Sequence, residues 1–461
     1  MITPRGGSIP SGSWRDLILA WWLLALLALG VSTAMALVLV VARMPMLGLG
    51  LDFFRTALVL HVDTAVLVWF LSVAAGVWLS LAPLPPRGVW LAAMGLLLSL
   101  LGVCLMLLSP LCERALPLLA NYVPVLDGAL FHWGLGAFAG GILVSSLVAA
   151  SALMHPVEPD RPSWALMAMA AMPAWGAAVL VTCVALARSQ GGVEMFVWGG
   201  GHLLQGVHVL LLMAAWLFLA RQLLGTDPLS RRVAVLLMLG AAVAPGSGAI
   251  LGLYAHPDSP IYREGFTFIM RWLSWPAPAI LGFLLLRAIA KAPAPTAANE
   301  DSVLRRGLVL AIALFLLGCA VGALIRGEST AVPAHYHGTV GAITLSYMLW
   351  GRSYLSRFGL RVEAGRWWRW QPVVYGGGIA LLVAGLAWSG LLGAPRKEPL
   401  VGNLIAYGEV WLAMTLAGLG GFLAFLASAT YVVCIVKHLV PLGVLKCRSW
   451  KHLKSHPKLP A

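Results

Sequence analysis

The chain has 461 residues, of which 60% are hydrophobic and only 10% are charged, and its formal net charge is +14 at pH 7. A soluble protein carries charge on roughly a quarter of its residues, so this composition excludes a soluble enzyme or a nucleic-acid-binding domain. The charges fall in short clusters between apolar runs of about 20 residues, the length that crosses a bilayer. Because no long polar linker divides the chain, we expect a single integral membrane domain over residues 1–461.

Twelve apolar runs are predicted to span the membrane, so the expected fold is an all-α bundle. The first run is too long for the hydrophobic core of a signal peptide and is expected to remain as a span. In chain order, the predicted spans are 17–42, 53–82, 88–109, 125–153, 163–187, 195–220, 231–255, 265–290, 306–325, 333–352, 371–393 and 402–436.

The distribution of basic residues predicts how the bundle is oriented. Twelve spans place both termini on one side of the membrane, and most of the 31 Lys and Arg residues fall on that side. Basic residues favour the cytoplasmic side of short loops and tails. We therefore expect a multi-pass protein of the bacterial inner membrane, surrounded by lipid, with short basic cytoplasmic tails at 1–16 and 438–461.

Histidines inside predicted spans are the strongest candidates for chemistry, because ionisable groups are rare in membrane helices. His335 and His337 are separated by one tyrosine. Two residues correspond to about 200° of rotation on a helix, so these imidazoles point to opposite faces and cannot share one metal. They can bind two haems that flank one helix. His61 and His202 lie in other spans that begin on the same side, at a similar depth.

These motifs resemble the large subunit of the haem-copper oxidase superfamily, the cytochrome c oxidase subunit I family. The shared pattern is His-aromatic-His in span ten, a histidine in span two, Phe-His in span four and Gly-His in span six. Segments 127–134 and 272–276 are similar to the family's fourth helix and its proline-bearing eighth helix. The resemblance is to a divergent member near the cbb3-type and nitric-oxide-reductase branches.

The resemblance implies two haems, expected to be of b type, and a second metal. By position, His61 and His337 would be the axial ligands of a low-spin haem. His335 would be the proximal ligand of a high-spin haem. His202 would bind the copper or non-haem iron that faces it, so His335 and His202 would form the catalytic pair.

The second metal site departs from the family pattern. The family places two adjacent histidines on its seventh helix, and span seven here has none. His256 or Asp258 could fold back to contribute a ligand. His208 is about 240° around the helix from His202 and is not expected to replace one. Gly206 lies four residues after His202, at the position where many oxidases have a tyrosine that is covalently linked to the histidine corresponding to His202.

Several charged residues are candidates for binding haem carboxylates or moving protons. Three of them, Arg55, Arg396 and Lys397, are expected to bind haem carboxylates. The alternative is that they are ordinary charges at the membrane interface. Arg271 lies inside span eight and is expected to face a haem carboxylate or an internal cavity. Asp63 either forms an internal hydrogen bond or accepts protons from the outer side.

The expected function is a respiratory oxidoreductase, either a terminal oxidase or a nitric oxide reductase. A periplasmic donor, such as a cytochrome c or copper-protein subunit, would supply electrons that pass from the low-spin to the high-spin haem and on to O2 or NO. The cytoplasmic halves of spans three, six and eight lack acids and lysines, so proton pumping is not expected. The alternative is a non-catalytic haem protein for electron transfer or gas sensing. A secondary transporter would explain the spans but not the histidines.

Overall fold

The computed structural model describes residues 12–42, 51–154, 161–293, 300–358, 362, 365–397 and 408–439. Most of the two predicted basic tails, 1–16 and 438–461, lies outside these residues. The elements within them are α1 (Gly12–Ala42), α2 (Leu51–Val62), a π-helical segment (Asp63–Trp69), α3 (Phe70–Leu79), α4 (Pro86–Cys112), β1 (Leu116–Leu118), β2 (Val125–Asp127), α5 (Ala129–Leu153), α6 (Ser163–Arg188), α7 (Val193–Leu224), α8 (Arg231–Tyr254), α9 (Pro260–Leu273), α10 (Pro276–Lys291), α11 (Glu300–Ala323), α12 (Ala331–Tyr354), a short 3-10 helix (Leu355–Phe358), α13 (Arg366–Leu391) and α14 (Gly408–Leu439).

The predicted all-α membrane bundle is confirmed. Eleven helical segments among the described residues are long and apolar enough to cross a membrane, counting α2 to α3 and α9 to α10 as one span each. The remaining long helix, α12, has 24 residues. At 1.5 Å per residue this is about 36 Å, which is also sufficient to cross the hydrocarbon layer. Consecutive helices pack as pairs, with α4 on α5, α6 on α7, α11 on α12 and α13 on α14.

Two of the spans are interrupted within the bundle. The second span changes from α-helix to π-helix over residues 63–69, beginning two residues after His61. Such π-helical turns are rare and often occur at functional sites. The eighth span breaks between α9 and α10, directly before Pro276. A proline lacks the N–H needed to continue a helix, so the break follows from the sequence.

A small β-hairpin marks one end of the bundle. Strands β1 and β2 pair antiparallel between α4 and α5. Since consecutive spans run in opposite directions, the α6–α7, α8–α9 and α11–α12 loops and the C-terminal end of α13 lie at this same end. Hydrogen bonds support this placement, because Lys397 and Glu194 both contact Asn121 in the hairpin loop. We call this the hairpin end and the other the opposite end.

Candidate functional site

A large cavity lies inside the bundle, between α1, α2, α7 and the helices from α9 to α14. Its volume is about 1680 Å³. Pockets for single small ligands usually have volumes of roughly 300–1,000 Å³, so this space accommodates more than one such molecule. His61, His335 and His337 all line the cavity. The structure therefore brings three of the four predicted histidine ligands to one internal space.

Helix α12 lies in the wall of this cavity, with other cavity-lining helices on each side of it. It packs against α7 and α11 and also against α13. His335 and His337 are two residues apart on α12 and both line the cavity, so their imidazoles reach it from opposite faces of the helix. The predicted arrangement, with one imidazole on each side of a single helix, matches this geometry.

Each of the three predicted ligands that line the cavity is oriented by a backbone carbonyl. Nδ1 of His61 donates to the carbonyl of Ser32 on α1 (2.9 Å), and Nδ1 of His335 donates to the carbonyl of Gly318 on α11 (2.7 Å). Nδ1 of His337 donates to a carbonyl of its own helix, four residues earlier (2.7 Å). A carbonyl oxygen only accepts, so the proton resides on Nδ1 and the lone pair on Nε2. This tautomer is the one that ligates a metal through Nε2, and these imidazoles thus fit a haem iron.

Glycines on α11 make room for His335. A Cβ added at Gly322 would lie 2.6 Å from Nδ1 of His335, too close for any real side chain. Gly318, one turn earlier, supplies the carbonyl that orients the same imidazole. The spacing of four residues puts both glycines on one face of α11. Sequence reasoning did not single out this pair, although a small-xxx-small pattern is a recognised sign of close helix packing.

His202 has a different environment. Its Nδ1 donates to the carbonyl of Trp198 (2.6 Å), and its Nε2 accepts from the hydroxyl of Tyr122 (2.9 Å). It is not among the residues that line the cavity. Tyr122, in the hairpin loop, has φ = 72°, a conformation that bulky residues rarely adopt. The structure thus places both ring nitrogens of His202 in protein hydrogen bonds, and Tyr122 is a partner that sequence reasoning missed.

His256 and Asp258 lie in the loop between α8 and α9 and do not line the cavity. Asp258 accepts from the backbone N–H groups of Gln190 (2.8 Å) and Gly191 (3.2 Å) and from the hydroxyl of Ser189. These bonds, the one from Gln190 foremost, lower the pKa of Asp258. Asp258 thus fastens its loop to the loop between α6 and α7, and neither residue forms a group of metal-binding side chains with His202 among the described residues.

No group of three or more His, Cys, Asp and Glu side chains able to hold a metal occurs in the described part of the chain. The trio of ligands that the family pattern requires for a second metal is therefore not assembled among these described residues. Of the donors that the sequence offered for it, His202 and Asp258 are engaged in the hydrogen bonds described above, and Nδ1 of His256 accepts from the backbone N–H of Asp258 (3.3 Å).

Two adjacent cations lie at the hairpin end of the cavity. Arg396 and Lys397 both line it. Nη2 of Arg396 is 2.8 Å from a carboxylate oxygen of Glu328. Nζ of Lys397 donates to the carbonyl of Leu119 (2.5 Å) and lies 3.3 Å from Oδ1 of Asn121. Desolvation by burial lowers the pKa of Lys397. These cations are positioned to meet anionic groups inside the cavity.

The other charged residues singled out in the sequence differ in whether they line the cavity. Arg271 lines the cavity, in agreement with one of the two expectations for it. Arg55 is half-buried on α2 and is not among the lining residues. Asp63 is completely buried at the start of the π-helical segment, and its carboxylate oxygens have no hydrogen-bond partner among the described residues.

His208 is a cavity residue that sequence reasoning set aside. It lines the cavity and is 4% exposed. Neither ring nitrogen makes a hydrogen bond of normal geometry with the part of the chain that the structure describes. The edge of its ring packs on Phe70 of α3, with centroids 4.9 Å apart. His202 and His208 point to different sides of α7, as predicted. The cavity, however, lies on the side of His208 and not on the side of His202.

Comparisons with known proteins agree with this fold. No protein-family model matches the chain. An uncharacterised protein of Rickettsia prowazekii (strain Madrid E) is 26% identical, over 93% of this chain and 96% of its own length. An uncharacterised protein of Aquifex aeolicus (strain VF5) is 25% identical, over 76% of this chain and 88% of its own length.

A solved structure extends the comparison to three dimensions. A cryo-EM structure of a haem-copper terminal oxidase dimer superposes with a TM-score of 0.74, covering 93% of this chain and 84% of that chain, at 18% sequence identity. At this identity the likeness concerns the fold alone. The chain is accordingly an all-α, multi-pass membrane protein with the fold of a haem-copper terminal oxidase.

Proposed function

We propose that this chain is a haem-carrying oxidoreductase subunit of a bacterial respiratory membrane. His61 and His337 would hold a low-spin haem and His335 a high-spin haem, and these groups would supply the redox chemistry that delivers electrons to O2 or NO, without proton pumping. One observation carries the proposal: three imidazoles, each fixed through Nδ1 by a backbone carbonyl, face one cavity of about 1680 Å³.

The roles of the chain's own groups follow from this geometry. When bound, haem supplies the one-electron chemistry and the site for the gas, while the protein sets its position and surroundings. The carbonyls of Ser32 and Gly318 hold the imidazoles of His61 and His335 in their ligating tautomer. Arg396 and Lys397 would neutralise haem carboxylates at the hairpin end. An electron donor, such as a cytochrome c or a copper-protein subunit, would dock at that end.

The second metal does not fit the residues present. Both nitrogens of His202 are hydrogen-bonded, and no trio of ligands is assembled in the described part of the chain. We derive no step through a copper or non-haem iron ion. This observation favours a second candidate function, a non-catalytic haem protein that transfers electrons or senses a gas.

Purification followed by optical and electron paramagnetic resonance spectroscopy tests the proposal. We expect one low-spin and one high-spin haem signal, and consumption of O2 or NO when an artificial electron donor is added. Binding of CO or NO without turnover would replace the first candidate with the second. Absence of haem would contradict both. In sealed vesicles, turnover should proceed without net proton ejection, and ejection abolished by an uncoupler would contradict that part.

A further inference from the structure

Arginine and tryptophan side chains are concentrated at the start of α13, at the opposite end of the bundle. The sequence of residues 366–370 is Arg-Trp-Trp-Arg-Trp. Trp368 is buried, whereas Trp367 and Trp370 are 76% and 49% exposed, and Arg366 is exposed as well. The outward face of this first turn therefore combines a cation with two large aromatic rings.

A second helix brings another arginine to the same face. The guanidinium of Arg306, near the start of α11, lies over the Trp370 ring, 5.6 Å from its centroid. Its Nε donates to the carbonyl of Ser302 in its own helix (3.2 Å), so its terminal nitrogens remain for another partner. Arg366 is four residues before Trp370 and therefore lies on the same face of α13. We call Arg306, Arg366, Trp367 and Trp370 the Arg–Trp patch.

The patch carries positive charge that the described residues do not neutralise. Four ion pairs occur among these residues, and none of them includes Arg306 or Arg366. The nearby carboxylate of Glu300 is already used, because both of its oxygens accept from Arg352 (2.7 and 2.9 Å). Guanidinium groups remain charged and match the geometry of phosphate oxygens. The patch is therefore suited to a phosphate-bearing anion.

An open groove continues from the patch along the membrane-spanning part of α13. Gly377 is seven residues past Trp370 and lies on the same face of the helix. Of three consecutive glycines, Gly376 makes room for Leu310 of α11 and Gly378 for the backbone of α14, whereas a Cβ added at Gly377 would meet nothing within 4 Å. Packing among the described helices therefore does not require a glycine at position 377, and the missing side chain leaves space beside α13.

We infer that this surface binds an anionic phospholipid, with the phosphate between the guanidinium groups of Arg306 and Arg366 and an acyl chain along Gly377. Tryptophan is enriched at the level where headgroups meet acyl chains, and anionic lipids attract basic residues beside membrane spans. A zwitterionic lipid would fill the same groove but would leave the two arginines without a compensating charge. The inference goes beyond the proposed function and does not depend on haem.

Competition between lipids tests the choice of headgroup. The full-length protein is reconstituted in vesicles of equal parts phosphatidylcholine and phosphatidylglycerol, and the lipids that it retains in mild detergent are counted by native mass spectrometry. We expect preferential retention of phosphatidylglycerol, lowered severalfold by Arg306→Gln combined with Arg366→Gln. The control, Arg231→Gln combined with Arg232→Gln, removes the same charge from exposed positions in the first turn of α8, at the same end. Equal retention of both lipids by the unaltered protein, or an equal loss in both double variants, would overturn the inference.

A steric change tests the groove without altering charge. Gly377→Phe would fill the space beside α13 and should also lower retention of phosphatidylglycerol severalfold. Gly176→Phe on α6 is the matched control, because a Cβ there likewise meets nothing within 4 Å and the position is half-buried as well. Unchanged retention in Gly377→Phe, or an equal loss in both variants, would overturn the inference. The lipid competition in the unaltered protein decides the matter if a variant fails to insert.

Discussion

Two regions of the molecule contain the histidines that resemble metal ligands, and they differ in how the imidazoles are used. Around the cavity, His61 and His335 each have Nδ1 on a backbone carbonyl and no protein partner on Nε2 among the described residues. At the hairpin end of α7, His202 has Nδ1 on a carbonyl as well, but its Nε2 accepts from Tyr122. In the first region the Nε2 lone pairs are available to a ligand, whereas in the second the Nε2 lone pair already accepts a hydrogen bond from the protein.

This difference shows that the position of a histidine in a motif does not by itself establish a metal site. The surroundings of Nε2 decide whether the histidine can bind a metal. A carbonyl that accepts from Nδ1 fixes the tautomer with its lone pair on Nε2, but another protein group can still occupy that lone pair. His61 and His335 therefore support haem binding, whereas the described residues around His202 supply no set of three metal ligands. The predictions below test this contrast, in order of decreasing expected effect.

The largest effect is expected from the two proposed ligands of the low-spin haem. His61→Ala and His337→Ala should each abolish the low-spin signal, because either change removes one axial imidazole from the same iron. The double variant should resemble the single ones, since the two changes act on one site. Optical and paramagnetic resonance spectra measure this. His132→Ala, at an exposed position on α5, is the control. Loss of the high-spin signal alone would show that the pairing is reversed.

A smaller effect is expected from crowding His335. Gly322→Ala would place a Cβ 2.6 Å from its Nδ1, and forcing extra volume into a packed site costs about 1–3 kcal/mol. We expect partial loss of the high-spin haem, measured as haem content and CO-binding amplitude. Gly246→Ala on α8 is the matched control, because its added Cβ would meet nothing within 4 Å. An unchanged high-spin haem in Gly322→Ala would argue against His335 as its ligand.

Removing the partner of His202 should change stability but not the haems. Tyr122→Phe leaves a buried Nε2 without its donor, and such a loss costs about 1–3 kcal/mol in the free energy of unfolding. Thermal unfolding measures the loss, and haem spectra should match those of the unaltered protein. Metal analysis should find no stoichiometric copper or non-haem iron. An altered high-spin spectrum in Tyr122→Phe, or bound copper that His202→Ala removes, would restore the second metal site.

The smallest effect concerns the loop contact at Asp258. Its pKa is lowered in the folded protein, so ionised Asp258 stabilises the contact above its unfolded pKa of 3.8, and this stabilisation is lost as the pH falls through the lower folded value. Limited proteolysis of the 189–192 loop should therefore be slow at neutral pH and accelerate under acidic conditions. Asp258→Asn should make the loop susceptible already at neutral pH. Equal cleavage in both proteins at pH 7 would contradict this role.

The sequence was sufficient to predict the bundle because crossing a bilayer requires only length and apolar composition. It also predicted that His335 and His337 face opposite ways, which follows from helical geometry. The rotation of α7 within the bundle depends on its packing against other helices, so the sequence could not show that His208 rather than His202 lines the cavity. The same limit applies to Tyr122 and Gly322, whose roles come from contacts distant in the chain.

The most direct test of the central claim is the ratio of haem to polypeptide in the purified protein, measured together with the spin state of each iron. We predict two haems per chain, one six-coordinate and low-spin through His61 and His337 and one high-spin through His335. A single haem, or none, in a folded and membrane-inserted protein would contradict the account.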